Sequence, residues 1–194
     1  MPAKRLAANT PSERILGIDP GSLTTGWGVV DVSGNQLSHV AHGTIATAAV
    51  QNQAQRLGRI FHGIQDVMRR YSPNVMSLEK VFFARNAQSA LKLGQARGVA
   101  LLAAAERAIA VSEYSANEIK IAVVGYGHAT KPQMQKMVTA LLCLNGELRA
   151  DAADAVAAAI CHAHRQAFQS RLAQAAGGRV KVVRWRDYRP AAQK

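Results

Sequence analysis

Four carboxylates stand out by their neighbours. Asp19 ends the apolar run of "ILGIDPGSLTTGWGVV" and precedes a glycine-rich turn. Glu79 ends "NVMSLE", a short run otherwise suited to burial. Asp151 and Asp154 open the alanine-rich stretch "ADAADAVAAAI" at a spacing of i, i+3, which places both on one face of a helix. Each has an ordinary reading when taken alone. Asp19 reads equally as a turn aspartate before Pro-Gly, and Glu79 as a strand-end surface charge. The Asp151 and Asp154 pair suits the positive end of a helix dipole. Together, four acids without a thiolate or paired histidines suit hard cations, Mg²⁺ or Mn²⁺. Two such ions about 3.5–4 Å apart clamp the attacking and leaving oxygens of a phosphodiester displacement.

The charge balance favours a polyanionic partner. The 194-residue chain has 24 Lys and Arg against 12 Asp and Glu, a formal charge of +12, which points to nucleic acid ahead of an anionic membrane. A solvated basic surface is the plain alternative. Residues 179–194 hold six basic residues and one acid, and 1–14 contribute +2. Residues 15–178 remain basic at +5 but contain only ten acids, among them these four. Cations in an acidic pocket cancel its repulsion of phosphate, so a basic protein with such a pocket has what a nuclease requires.

Elements to position the acids follow from periodicity. "RILGID" reads as a strand covered on both faces. "GWGVVDVSGNQLSHVAHGTIAT" reads as two more strands, antiparallel to their neighbours and turning at Ser33-Gly34-Asn35. Leu57, Ile60, Phe61, Ile64, Val67, Met68 and Tyr71 predict a helix over 54–71, stopped by Pro73. A strand ending near Glu79, a helix over 86–108, a strand at "AVSEYS" and a short helix over 116–123 follow. Thr130 N-caps a helix to about Leu144, with Pro132 in its first turn. The last helix runs from Asp151 to about Ala175, ended by Gly177-Gly178. This order predicts an α/β domain: a five-stranded mixed sheet flanked by helices. The expected division is a flexible leader 1–14, one domain 15–178, and a disordered basic tail 179–194. Cys143 and Cys161 show no framework spacing and are expected as reduced, buried thiols. His162 and His164 beside Cys161 make a poor zinc set, because neighbouring positions on a helix cannot all face one metal. Residues 1–14 lack an apolar segment and no stretch suits a membrane span, so a soluble cytoplasmic protein is expected.

The segments "ILGIDPGSLTTGWGVV", "LEKVFFARNAQSALKLGQARGVA", "VVGYGHATKPQMQKMV" and "ADAADAVAAAICHAH" resemble the four blocks of the RuvC family of Holliday-junction resolvases, in the family's order and spacing over about residues 15–165. The resemblance implies a ribonuclease H-like fold and a homodimer. It also implies Mg²⁺-dependent cutting of four-way DNA junctions beside a branch-migration helicase complex of the RuvA and RuvB type. The family's metal-binding carboxylates match Asp19, Glu79, Asp151 and Asp154. Its junction-centre phenylalanine matches Phe82, and its basic residues near the scissile phosphate match Lys120 and Lys131.

The second block supports the same picture physically. In an extended segment Phe82 and Phe83 point in opposite directions, so one can enter the core while the other stacks on a base. Lys80, Arg85, Lys92 and Arg97 surround them and are candidate DNA contacts, with a solvated helix face as the alternative for Lys92. The small residues of "SALKLGQARGVALLAAA" suit two copies packing back to back, one site for each opposed strand.

The expected chemistry is two Mg²⁺ ions per site, bridged by Asp19 and replaceable by Mn²⁺, leaving a 5′-phosphate and a 3′-hydroxyl. The glycines after Asp19 are expected to form a tight strand-to-strand turn that lets the DNA backbone approach. Two other functions fit parts of the sequence. An actin- or sugar-kinase-like nucleotide-binding domain would open with an Asp-x-Gly-Ser/Thr hairpin that holds phosphates, which "DPGSLTTGWG" imitates, but such proteins close two domains around ATP and 194 residues supply one. A non-catalytic junction-binding protein would keep the basic surface but has no need of all four acids.

Overall fold

A computed structural model describes residues 12–80, 87–146 and 148–175. The basic segment 179–194, the leader up to residue 11, and the expected DNA contacts Phe82, Phe83 and Arg85 lie outside the described residues. Five strands form one sheet: β1 (Glu13–Asp19), β2 (Thr24–Ser33), β3 (Gln36–Ala46), β4 (Val75–Glu79) and β5 (Ala110–Tyr114). Their order is β3-β2-β1-β4-β5. β2 is antiparallel to β1 and β3, whereas β4 is parallel to β1 and β5. β1 is therefore central, and the carboxyl ends of the three parallel strands share one end of the sheet. Ligands gather at that end in open α/β sheets.

Helices cover both faces. α1 (Gln53–Tyr71) and α2 (Ala87–Ala105) lie on one, while α3 (Ala116–Val124), α4 (Lys131–Leu141) and α5 (Ala150–Ala175) lie on the other. Leu16, Ile18, Val29, Met76 and Leu78 share a core with Ile60, Ile64 and Met68 of α1 and Ala100 of α2. Ile15, Val30 and Val75 share the second core with Val156 and Ile160 of α5. The strand period of two then decides where the terminal acids point. Asp19 follows Ile15 and Gly17 onto the α5 face. Glu79 follows Val75 and Ser77 onto the same face, where the Ser77 hydroxyl donates to the Ala158 carbonyl at 2.6 Å.

Several boundaries differ from the sequence reading. β1 begins at Glu13, two residues into the expected leader. Arg14 pairs with Asp31 directly across the ladder, donating from Nε at 2.7 Å, and also donates to the Tyr71 carbonyl. α2 stops at Ala105 rather than 108, because Ala108 adopts a left-handed backbone with φ 54°. α4 stops at Leu141 rather than 144, since Cys143 does the same at φ 49°. That turn leaves Cys143 exposed, which corrects the expectation of two buried thiols; Cys161 alone is buried. Among the described residues, no helix is long and apolar enough to cross a membrane.

Candidate active site

Asp19, Glu79 and Asp154 line a cavity of about 330 Å³ together with Lys120, Lys131, Ala116, Ile119 and Met134. Five elements contribute to it, so the site exists only in the folded chain. β1 and β4 supply their last residues. Ser115 caps α3 through a reciprocal pair with Glu118: the Glu118 amide donates to Ser115 Oγ, and the Ser115 amide donates to Glu118 Oε2 at 2.9 Å. α3 then carries Ile119 and Lys120 to the cavity wall. The Thr130 amide donates to Gln133 Oε1 at 2.8 Å at the start of α4, which places Lys131 in the first helical turn, followed by Pro132. Lys131 Nζ approaches Asp154 Oδ2 to 3.4 Å.

α5 reaches the acids because the sheet beneath it has no side chains in the way. A β-carbon on Gly17 would sit 1.9 Å from the Ala155 carbonyl oxygen, and one on Gly28 2.3 Å from Val156. A β-carbon on Gly26 would sit 1.9 Å from the Asp151 carbonyl oxygen. The small face of α5, with Ala152, Ala155, Ala158 and Ala159 buried, completes the fit. Gly26 and Gly28 lie in β2, as expected for the strand that opens with "GWGVV", and seat the helix; of the glycines that follow Asp19 in its segment, only Gly21 falls in the turn. The sequence held a signal for this: glycines at 26 and 28 are two apart and share one face of a strand.

The electrostatics are those of crowded acids. Burial raises the Asp19 pKa to about 7, reinforced by Glu79, Asp154 and Asp151 and opposed by Lys131. Burial also raises Glu79, with Asp154 adding to it and Lys131 and Lys120 opposing. Asp154 is raised by burial against the pull of Lys131. Lys131 is itself raised, chiefly by Asp154, and stays charged. Asp151 is outside the cavity lining but near enough to act on Asp19 and Asp154.

Among the described residues, no three metal-ligating side chains are already drawn into one coordination sphere. The donor set nonetheless suits a divalent cation in its chemistry. It consists of oxygen ligands whose mutual repulsion such an ion relieves, with no competing thiolate at the cavity.

The remaining candidates lie elsewhere. Lys80 is exposed just after β4, and Lys92 is partly exposed on α2. Arg97 is turned to Glu113, with its guanidinium 2.6 Å from Oε1. The three residues of the zinc alternative separate in the fold. Cys161 Sγ faces the Glu118 carbonyl, His162 Nδ1 lies 2.9 Å from the Tyr114 hydroxyl, and His164 Nδ1 lies 2.8 Å from the Ala122 carbonyl.

The family model for the crossover junction endodeoxyribonuclease RuvC matches residues 15–162. The chain belongs to the RuvC family. A crossover junction endodeoxyribonuclease RuvC from Geobacter metallireducens is 54% identical over 151 residues, 78% of this chain and 92% of its own. The structure of the T. thermophilus RuvC in complex with Holliday junction substrate superposes with a TM-score of 0.77 at 33% identity, over 81% of this chain and 97% of that one. The yeast mitochondrial Holliday junction resolvase Ydc2 shares the fold at 13% identity and a TM-score of 0.59, over 87% of this chain and 86% of that one. This RuvC-family chain is a Holliday-junction-resolving endonuclease with a ribonuclease H-like fold, and its family is one of metal-dependent nucleases.

Proposed function

We propose that the protein resolves four-way DNA junctions as a homodimer, with paired symmetric nicks made at the Asp19 cavity. The observation that carries this reading is the meeting of Asp19, Glu79 and Asp154 with Lys120 and Lys131 around one cavity. Asp19, Glu79, Asp151 and Asp154 would hold two Mg²⁺ ions, or Mn²⁺ in their place. These ions would supply an activated water and charge stabilisation at the leaving oxygen.

The water oxygen attacks phosphorus and the bond from phosphorus to the 3′ oxygen breaks. The water loses one proton to solvent and the 3′ oxygen takes one up, leaving a 5′-phosphate and a 3′-hydroxyl. Lys131 and Lys120 face the extra negative charge that builds on the phosphate oxygens. Phe82, or its neighbour Phe83, stacks on unpaired bases at the junction centre, with Lys80, Arg85, Lys92 and Arg97 as the basic surroundings. Arg97 first has to leave Glu113 or share it.

The dimer reading is supported by α2. Leu91, Gly94, Gly98 and Leu102 form an exposed stripe at i, i+3, i+7 and i+11, with open space above both glycines. A branch-migration helicase complex is the proposed partner and the bacterial cytoplasm the proposed compartment. The proposed nuclease domain is 13–178, because β1 begins at Glu13, with the basic segment 179–194 adding phosphate contacts.

The test is a labelled four-way junction with both nicks mapped in Mg²⁺, Mn²⁺ and Ca²⁺. Asp19→Asn should bind the junction and fail to cut it. Cutting at the normal rate by that variant would remove the carboxylates from the chemistry.

A further inference from the structure

We infer that Thr25 and Thr47 are positioning residues for the reaction, a buried clamp that holds the turn after Asp19 and so fixes where the Asp19 carboxylate stands. This rests on the proposed role of Asp19 and adds to it what keeps that carboxylate in place.

Asp19 is the last residue of β1 in the ladder, paired with Gly26; Pro20 to Leu23 form the turn beyond it, and Thr24 and Thr25 are paired only with β3. A loop end of this kind would let the terminal acid wander. Here the turn is tied at three successive carbonyls. The Thr25 hydroxyl donates to the Gly21 carbonyl at 2.9 Å. The Thr47 hydroxyl donates to the Ser22 carbonyl at 2.8 Å. The Thr47 amide donates to the Leu23 carbonyl at 2.8 Å. Both threonines are only 1% exposed. Their hydroxyls are thus withheld from water and spent on this turn, and a buried hydroxyl without a partner would be costly.

The clamp is braced from behind. The Val50 amide donates to the Thr47 carbonyl at 2.9 Å, and Arg56 of α1 donates to the Val50 carbonyl. A continuous path of hydrogen bonds therefore runs from α1, through the connection after β3, to the turn beside Asp19. Gly21 shows how tightly the turn is wound: a β-carbon there would sit 1.9 Å from the Thr24 carbonyl oxygen. Neither threonine lines the acidic cavity, so their effect passes through the backbone rather than through contact with substrate. A misplacement of about 1 Å at a reacting group is enough to cost about 100-fold in rate.

The test uses Thr25→Val and Thr47→Val, which keep size and branching and delete the hydroxyl, with Thr25→Ser and Thr47→Ser as conservative partners. Mn²⁺ binding to the DNA-free protein is followed by electron paramagnetic resonance. Single-turnover cutting is measured in Mg²⁺, and junction affinity in Ca²⁺. Each valine variant should cut about 10-fold or more slowly and bind Mn²⁺ several-fold more weakly, with junction affinity within about twofold of the parent. Each serine variant should restore both.

Valine variants with parental Mn²⁺ affinity and cutting would overturn the clamp, and so would serine variants as impaired as valine. Alanine at either position adds no methyl to the packed site and carries the same two outcomes should a valine variant not fold. Asp19→Asn, run alongside, separates the two ideas. If it binds Mn²⁺ and cuts normally, the carboxylate reading fails. If it loses both while the valine variants keep both, the clamp alone fails.

Discussion

The backbone of Asp151 rests directly on Gly26: a β-carbon at that glycine would sit 1.9 Å from the Asp151 carbonyl oxygen. The obstacle is backbone, not a movable side-chain tip, so Gly26→Ala must push the first turn of α5 off the sheet. That turn carries Asp151 and leads into Asp154. Gly26→Ala should therefore lower junction cutting by about 10-fold or more while the protein stays folded, since one methyl in a packed site costs about 1–3 kcal/mol. Circular dichroism and single-turnover cutting on the same sample check this. Full activity in a folded variant would show that α5 can shift without disturbing the acids.

The crowding of the acids has a sign that can be measured. Asp19 titrates near 7 in the folded chain against 3.8 for the ordinary side chain. A raised acid holds its proton more tightly folded than unfolded. Its contribution to stability is therefore fully present below about pH 4 and is lost as pH rises through about 7. In a chelator, Asp19→Asn should melt higher than the parent at pH 8, by an amount on the order of a few kcal/mol. The two should converge towards pH 4. Adding Mg²⁺ at pH 8 should raise the parent's melting temperature more than the variant's. A stability gap that does not change with pH would show that Asp19 is not held under electrostatic stress.

Much of this arrangement was readable from the chain. The i, i+3 pair in "ADAADAV" and the strand-end positions of Asp19 and Glu79 gave the acids. The seven apolar residues of α1 gave a helix within one residue of its observed start. What stayed hidden depends on distance between segments far apart in sequence. Gly17, Gly26 and Gly28 read as plain strand residues until a helix is laid over them. Thr25 and Thr47 look like ordinary strand threonines until the Asp19 turn folds between them. Cys143 sits in an apolar pattern that continues past the end of α4, and its left-handed backbone, not its side chain, puts it outside.

Lys131 offers a separation of stability from activity. Its side chain is 77% exposed, and its 3.4 Å approach to Asp154 is a surface-type ion pair. Such pairs contribute about 0–1 kcal/mol. Lys131→Met should therefore lower the melting temperature only modestly, and more at pH 8, where the lost ammonium leaves Asp19, Glu79 and Asp154 unrelieved, than at pH 4. If its ammonium meets the charge that develops on the scissile phosphate, cutting should fall by about 100-fold or more, the scale seen when one such donor is removed. Junction affinity should fall far less. A loss in affinity alone, with single-turnover cutting preserved at saturation, would make Lys131 a phosphate anchor.

The exposed stripe on α2 makes the last prediction. Leu91 is 68% exposed and Leu102 53%, on a helix whose opposite face buries Ala96, Ala100, Ala103 and Ala104 in the core. The stripe offers two leucines and two glycines whose open faces allow close approach of another helix. Leu102→Glu and Leu91→Glu place charge on that surface without touching the core or the acidic cavity. In light scattering after gel filtration, the double variant should run as a monomer at concentrations where the parent is a dimer. On a supercoiled plasmid carrying a cruciform, the parent should give linear product from two nicks made within one binding event, and the variant should accumulate nicked circles. A double variant that stays dimeric and still makes linear product would move the interface away from α2.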